Sequence, residues 1–280
     1  MHIWQADFYH LPSQSEDQQR QWELIICESP TLASDNHPEK LVYTAQCSSA
    51  NANPQWLEQQ ILSVAKGQLP DKIQIFRPQS LGLLTVVAEK LGIEVEATRN
   101  TEVLKQVLTE KYNQQFPNHN PLALDQPPPQ ALPENIWGDQ WQIANIAAGQ
   151  IVDLFRDRPI PICHLPESFL PLNLGIAHNI MIPGIVVYGG RKTMQIARWI
   201  EQENPAYINY IPTEVGKSGG FILETGLVDR WVFNTFESEQ ATRVAQDYEQ
   251  KKQVAKGLHF LLIQPDDSGM TYTAFWLLKA

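Results

Sequence analysis

Residues 3–112 switch between extended and helical patterning in one particular order, and that order restricts the fold more than any single motif does. Ile3–His10 and residues 22–27 and 40–47 are three successive apolar, β-branched or aromatic segments, parted by stretches rich in Gln, Ser, Asn, Asp and Pro. They predict consecutive antiparallel strands. Asn53-Pro54 then supplies a cap and a first-turn proline, Leu57, Ile61 and Val64 recur at helical spacing, and Gly67 marks the stop. A fourth strand is predicted over 71–76, and a second helix, with Leu84, Val87 and Leu91 on one face, between Ser80 and Gly92. A fifth strand over 93–97 and a third helix over 101–112 complete the series.

The fourth and fifth strands are each reached through a helix, so they are expected to run parallel, with right-handed crossovers. The resulting order, β-β-β-α-β-α-β-α on a mixed sheet, is that of a ribonuclease H-like domain; such an order assigns a fold and leaves activity open. Pro117, Pro121, Pro127, Pro128, Pro129 and Pro133 follow, a density that favours extended polyproline geometry over helix or ladder. The expected organisation is a ribonuclease H-like α/β domain over 1–116, a proline-rich linker over 117–136 and a C-terminal α/β domain over 137–280. There, extended segments at 142–147, 160–163, 185–188, 207–211, 221–224, 230–234, 258–264 and 271–278 are interspersed with helical periodicity at 151–156, 194–200 and 241–255. The last helix, begun after Ser238, has Glu237 and Glu239 near its start and Lys251, Lys252 and Lys256 near its end, in the sense of the helix dipole. The final two extended segments, joined by 265–269, predict a hairpin.

Composition narrows the partners. The net charge of −10 is evenly shared, with 14 acidic against 9 basic side chains in residues 1–124 and 17 against 12 in the rest. Phosphate neutralisation by Lys and Arg supplies most nonspecific nucleic-acid affinity, so an anion site in this chain has to be a local patch. No apolar run approaches the roughly 18 residues of a membrane span. Met1-His2-Ile3-Trp4 leads straight into a strand pattern, without the zoning of a signal or transit peptide. The expectation is a soluble, cytoplasmic protein with no membrane insertion. Cys27, Cys47 and Cys163 are odd in number and far apart, which predicts buried reduced thiols rather than disulfides or a zinc site. No cofactor is expected.

Several constellations bear on chemistry. Asp7 sits on the first strand, where a ribonuclease H-like nuclease places its first metal-binding carboxylate, and Glu58 on the first helix could be a second. Two-metal hydrolysis needs several converging acids, yet the fourth strand ends in Phe76-Arg77-Pro78, with a cation where an acid is wanted. Arg77 instead suits a phosphate or a partner's carboxylate. Val215-Gly216-Lys217-Ser218 lacks the upstream glycine of a phosphate loop and runs on into a strand pattern. In Tyr188-Gly189-Gly190-Arg191-Lys192-Thr193 a strand turns through two glycines into a helix start, a geometry that exposes backbone N–H groups beside two cations. Histidines 2, 10, 37, 119, 164, 178 and 259 form no i,i+4 metal pair, and no Gly-x-Ser-x-Gly elbow occurs. Aromatic faces can stack on unpaired bases; Trp4 and Tyr9 near Arg77, and Trp231 beside Arg230, are the pairs singled out.

Taken together, the segments Trp4-Gln5-Ala6-Asp7-Phe8-Tyr9, Phe76-Arg77-Pro78, Arg156-Asp157-Arg158-Pro159-Ile160-Pro161-Ile162, Pro183-Gly184-Ile185-Val186-Val187-Tyr188-Gly189-Gly190-Arg191, Gly220-Phe221-Ile222-Leu223-Glu224-Thr225-Gly226-Leu227, Arg230-Trp231, Gly257-Leu258-His259-Phe260-Leu261 and Phe275-Trp276-Leu277-Leu278 resemble the Tab/Atab family of photosynthetic organisms. The resemblance implies an RNA-binding translation factor for a photosystem I messenger, bound at an A/U-rich 5′ leader, here as a cyanobacterial, cytoplasmic relative. It carries over no RNA-contacting residue. An acidic protein can hold single-stranded RNA where stacking and a local basic patch outweigh distant repulsion, which salt screens beyond about 8–10 Å.

The expectation is thus a non-catalytic protein whose partner is single-stranded RNA, with translation or photosystem assembly proteins as further partners. The RNA-binding residues singled out are Trp4, Tyr9, Arg77, Arg191, Lys192, Arg230 and Trp231. Two alternatives stay open: a divalent-metal nuclease using Asp7 and Glu58, and a protein-binding photosystem biogenesis factor.

Overall fold

In the computed structural model, which describes residues 2–12, 21–29 and 41–280, β1 (Ile3–His10) is buried along nearly its whole length. A strand without an exposed face belongs in the middle of a covered sheet. Its partners are β2 (Gln21–Glu28) on one side and β4 (Lys72–Ile75) on the other, with β3 (Val42–Ser48) beyond β2 and β5 (Glu94–Ala97) beyond β4. β1, β2 and β3 run antiparallel; β4 and β5 run parallel to β1. The order β3-β2-β1-β4-β5 is the ribonuclease H-like arrangement. Lys40, expected to open the third strand, and His37 lie outside the described residues.

Three helices cover this sheet: α1 (Pro54–Ala65), α2 (Pro78–Leu91) and α3 (Glu102–Gln115). Asn53 Oδ1 accepts the Trp56 N–H at 3.0 Å, and α1 ends on Lys66 in the left-handed region, one residue before the expected Gly67. Even-numbered β1 residues Trp4, Ala6 and Phe8 meet Leu57 and Ile61 of α1 and Leu84 and Val87 of α2 in one core. Odd-numbered Tyr9 meets Ile25, Cys27 and Phe76, with Leu104, Leu108 and Tyr112 of α3, in the other. The period of two along a strand thus places Trp4 and Tyr9 on opposite faces. Ser80, expected before the second helix, lies inside its first turn because Pro78 opens the helix, and its hydroxyl is taken up by β1.

The chain divides into two compact units, residues 1–125 and 126–280. The proline-rich stretch is shared between them. Phe116, Leu122 and Leu124 pack on the α3 core, whereas Gln130–Ala131 forms a short strand, β6.

The second unit continues through β7 (Gln140–Ala147), α4 (Ile151–Phe155), β8 (Ile162–His164), β9 (Met181–Tyr188), α5 (Thr193–Glu203), β10 (Pro205–Glu214), β11 (Ser218–Thr225), β12 (Asp229–Glu237), α6 (Glu239–Val254), β13 (Leu258–Gln264) and β14 (Ala274–Lys279). One sheet has the order β7-β9-β13-β14-β8 and the other β10-β11-β12-β6. Both contribute to a core that α5 and α6 fill, with Ile185 and Leu261 from the first sheet, Ile208 and Phe221 from the second, and Ile196 and Tyr248 from the helices. The opposite face of the first sheet carries Val186, Phe260 and Phe275 against Ile151 and Phe155 of α4. Gly184 is obligatory here, since a Cβ on it would come within 2.4 Å of the Phe260 ring. β13 and β14 form the expected antiparallel pair, and 215–217 make the turn between β10 and β11 with Gly216 at φ 79. Cys27 and Cys47 are buried but Cys163 is exposed, contrary to expectation, because it lies on β8, a three-residue strand at the sheet edge. No helix among the described residues is long and apolar enough to cross a membrane.

Candidate nucleic-acid interface

Parallel strands β1 and β4 end side by side, and ligand crevices in open α/β sheets form beyond such carboxyl ends. Here Arg77, the residue just before α2, lies over Asp7. Its Nε donates to Asp7 Oδ1 at 3.2 Å and Oδ2 at 3.0 Å, and its Nη2 donates to the Pro121 carbonyl at 2.7 Å. Ser80 Oγ accepts the Phe8 N–H at 3.1 Å and donates to Asp7 Oδ1 at 2.6 Å. Asp7 is fully buried, and burial raises its pKa above the ordinary carboxylate value while Arg77 and Ser80 pull the other way. The Arg77 side chain keeps 15% of its surface exposed, and its Nη1 makes no hydrogen bond among the described residues.

Beside this pair opens a cavity of 530 Å³ in the first unit, within the roughly 300–1,000 Å³ typical of small-ligand sites. Tyr9, His10, Trp22, Arg77, Gln79 and Tyr112 line it, with Asn118, His119, Asn120 and Pro121 closing one side. Among the described residues no carboxylate side chain lines it. The Arg77 guanidinium carbon lies 5.3 Å from the Tyr9 ring centre, a cation–π distance. Tyr9 itself is held from behind: its hydroxyl donates to Glu23 at 2.5 Å, and Glu23 also takes Gln46 at 2.8 Å and pairs with Lys111. Burial raises the Tyr9 hydroxyl far above its usual range and pushes Tyr112 up to about 12, so both stay neutral. His10 meets Trp22 edge-on at 5.9 Å and 88°, and its Nε2 is buried without a hydrogen-bond partner among the described residues.

The remaining residues singled out from sequence are placed otherwise. Trp4 is 1% exposed; its indole belongs to the α1/α2 core, so it is not presented to a ligand. Arg191 and Lys192 are exposed, but the glycine turn before them forms no anion nest. The Gly189 N–H donates to Gln264 O and the Gly190 N–H to Pro265 O, each at 3.0 Å, and the Lys192 N–H to Gly189 O at 2.9 Å. The Asp139 carboxylate also lies against Gly190, 2.3 Å from where a Cβ would stand. Arg230 is committed to Glu224 at 3.1 Å and reaches the Pro127 carbonyl at 3.5 Å. The Trp231 indole N–H donates to Glu203 and Thr225, both at 3.2 Å, with its ring edge-on to Trp199. Glu58 pairs with Lys90 at 2.6 Å. Among the described residues no three His, Cys, Asp or Glu side chains converge as a metal site.

Sequence reasoning missed His10, Trp22, Tyr112 and the 118–123 segment. A signal for the last was available in the amide and imidazole run Asn118-His119-Asn120 between Phe116 and Pro121. His10 and Trp22 meet only through the β1–β2 register, which sets them opposite each other.

Two family models match the chain: "RNA-binding protein Tab2/Atab2 N terminal" over residues 3–111 and "RNA-binding protein Tab2/Atab2, C-terminal domain" over residues 119–279. A curated relative from Zea mays, "Protein TAB2 homolog, chloroplastic", is 28% identical over 290 residues, covering 98% of this chain and 70% of its own. Its namesake from Arabidopsis thaliana is 27% identical, covering 98% of this chain and 74% of its own. Among solved structures, a simian T-cell lymphotropic virus intasome in complex with PP2A regulatory subunit B56 gamma matches at 15% identity and TM-score 0.27, over 42% of this chain and 43% of that one. The HTLV-2 integrase catalytic core domain in complex with magnesium matches at 15% identity and TM-score 0.26, over 42% of this chain and 74% of that one.

Proposed function

The chain belongs to the Tab2/Atab2 family of RNA-binding proteins, and on that premise we propose that it is a non-catalytic factor that binds single-stranded, A/U-rich RNA in the 5′ leader of a photosystem messenger and supports its translation, in the cytoplasm of a cyanobacterial cell. The observation that carries the reading is the cavity of the first unit. In a chain of net charge −10, this concavity has aromatic and amide walls, a guanidinium at its margin and, among the described residues, no lining carboxylate. Such walls suit a ligand with flat apolar faces, polar edges and a negative backbone. Arg77 and Tyr9 keep their proposed roles, and Trp22, His10 and Tyr112 join them. Arg191 and Lys192 contribute as solvated cations on the second unit. Translation or photosystem assembly proteins are the proposed further partners.

The non-catalytic reading is supported by the occupation of Asp7. In a ribonuclease H-like nuclease the first-strand carboxylate faces a metal ion; here it faces Arg77. A gel-shift titration against an A/U-rich leader at low salt should give a saturable complex, weakened by Arg77→Gln. No measurable affinity would sink the proposal. Incubation of labelled RNA with manganese is expected to leave it intact; cleavage that disappears in Asp7→Asn would overturn the non-catalytic assignment.

A further inference from the structure

One residue of the cavity wall has a polar atom without a partner among the described residues, and that atom says more about the ligand than the lining as a whole does. His10 Nε2 is buried and unbonded among the described residues, an arrangement that costs stability unless something completes it. The ring meets Trp22 edge-on at 5.9 Å. A phosphate group would engage Arg77 yet leave the aromatic walls without a counterpart.

We propose that this cavity takes one unpaired nucleobase turned out of the RNA strand, with the His10 ring turning to bring its buried Nε2 to the base edge and the Nη1 side of Arg77 holding an adjacent phosphate. The inference rests on the RNA-binding reading above and adds the part of the nucleotide that is recognised and the residue that recognises it. The lining supports a base over a charged headgroup because the half-buried Trp22 ring, with the narrow exposed margins of Tyr9 and Tyr112, offers apolar surface, and Gln79 and Asn118 supply amides that can donate or accept. Arg77 is already charge-balanced by Asp7, so what it presents is an oriented donor rather than a surplus of positive charge.

The test uses the full chain. A short A/U-rich RNA is prepared with an abasic sugar at each position in turn, and the His10 side-chain nitrogen signals are followed by NMR during titration with nucleoside monophosphates and, separately, with ribose 5-phosphate. Removing the inserted base should weaken binding by roughly 5- to 150-fold, the range one stacked base contributes, while abasic sugars elsewhere change it little. Nucleoside monophosphates should move the His10 Nε2 signal and ribose 5-phosphate should not. His10→Phe, its fold checked by circular dichroism, should weaken RNA binding and shrink the abasic penalty at that one position, and a penalty unchanged in this variant takes the base edge away from His10. RNA that binds with no position-specific abasic penalty and an unmoved His10 signal overturns the base pocket and leaves RNA binding standing. Equal responses to ribose 5-phosphate and nucleotide make this a phosphate site and also overturn it. Absence of RNA binding removes both readings.

Discussion

At the scale of the residue, the Asp7–Arg77 pair and His259 give the clearest expectations. Arg77→Met would leave a fully buried carboxylate facing no cation, and removing one partner of a buried pair costs about 3–5 kcal/mol. Urea unfolding at neutral pH should show that loss. It should shrink as the pH is lowered, because burial has already raised the Asp7 pKa and protonation removes the unpaired charge; Asp7→Asn with Arg77→Met should recover much of it. His259 is wholly buried, with Nε2 accepting the Ile208 N–H at 2.8 Å, so Nδ1 carries the proton and faces the Gly257 carbonyl at 2.8 Å. Burial, with Lys252 nearby, lowers its pKa to about 3. The unfolded chain therefore binds a proton below about pH 6.5 that the folded chain refuses. Stability should be fully present above that pH and fall by up to about 1.4 kcal/mol per pH unit as the pH drops toward 3. His259→Leu should flatten that slope and cost about 1–3 kcal/mol at neutral pH by orphaning the Ile208 N–H; thermal melts across pH check both. Asp7, Tyr9 and Arg77 were legible in sequence because residue type and strand end suffice to mark them. Trp4 was misplaced, although its even position against the odd Tyr9 already puts the two on opposite faces of one strand.

Among elements, those with local signals stand where the sequence puts them: α1 behind its asparagine cap and proline, α6 behind Ser238, β13 and β14 as a hairpin. What depends on distant partners does not. Ser80, read as preceding α2, sits inside the first turn that Pro78 opens, and its hydroxyl is held by β1, sequence-remote by more than seventy residues. The Gly189-Gly190 turn looked like an anion nest because its N–H groups are locally unclaimed; the carbonyls that claim them come from the end of β13. The close approach of Gly184 to a buried ring gives an element-scale prediction. Gly184→Ala should push the buried Phe260 ring off its seat and lower stability by about 1–3 kcal/mol, read as a drop in the urea midpoint with an unchanged slope.

For the whole molecule, the ribonuclease H-like order of the first half was readable because helix and strand periods alternate cleanly there. The second unit was harder: its two sheets bring together strands remote in sequence, as when β6 pairs with β12 across about a hundred residues. Net charge sets the expectation at this scale. Each phosphate neutralised on single-stranded RNA contributes a slope of about −0.7 in log affinity against log salt. With Arg77 as the cavity's guanidinium and −10 overall, the slope should stay shallower than about −2, measured by titration over a range of salt concentrations. A steeper slope would point to a basic surface other than this cavity. The seat of Arg77 on Asp7 adds one more consequence. A metal-dependent enzyme borrows its positive charge from the medium and surrenders it to a chelator, whereas this chain carries the charge on a side chain of its own, so its hold on RNA should survive EDTA and should respond to magnesium only as to any other competing counterion.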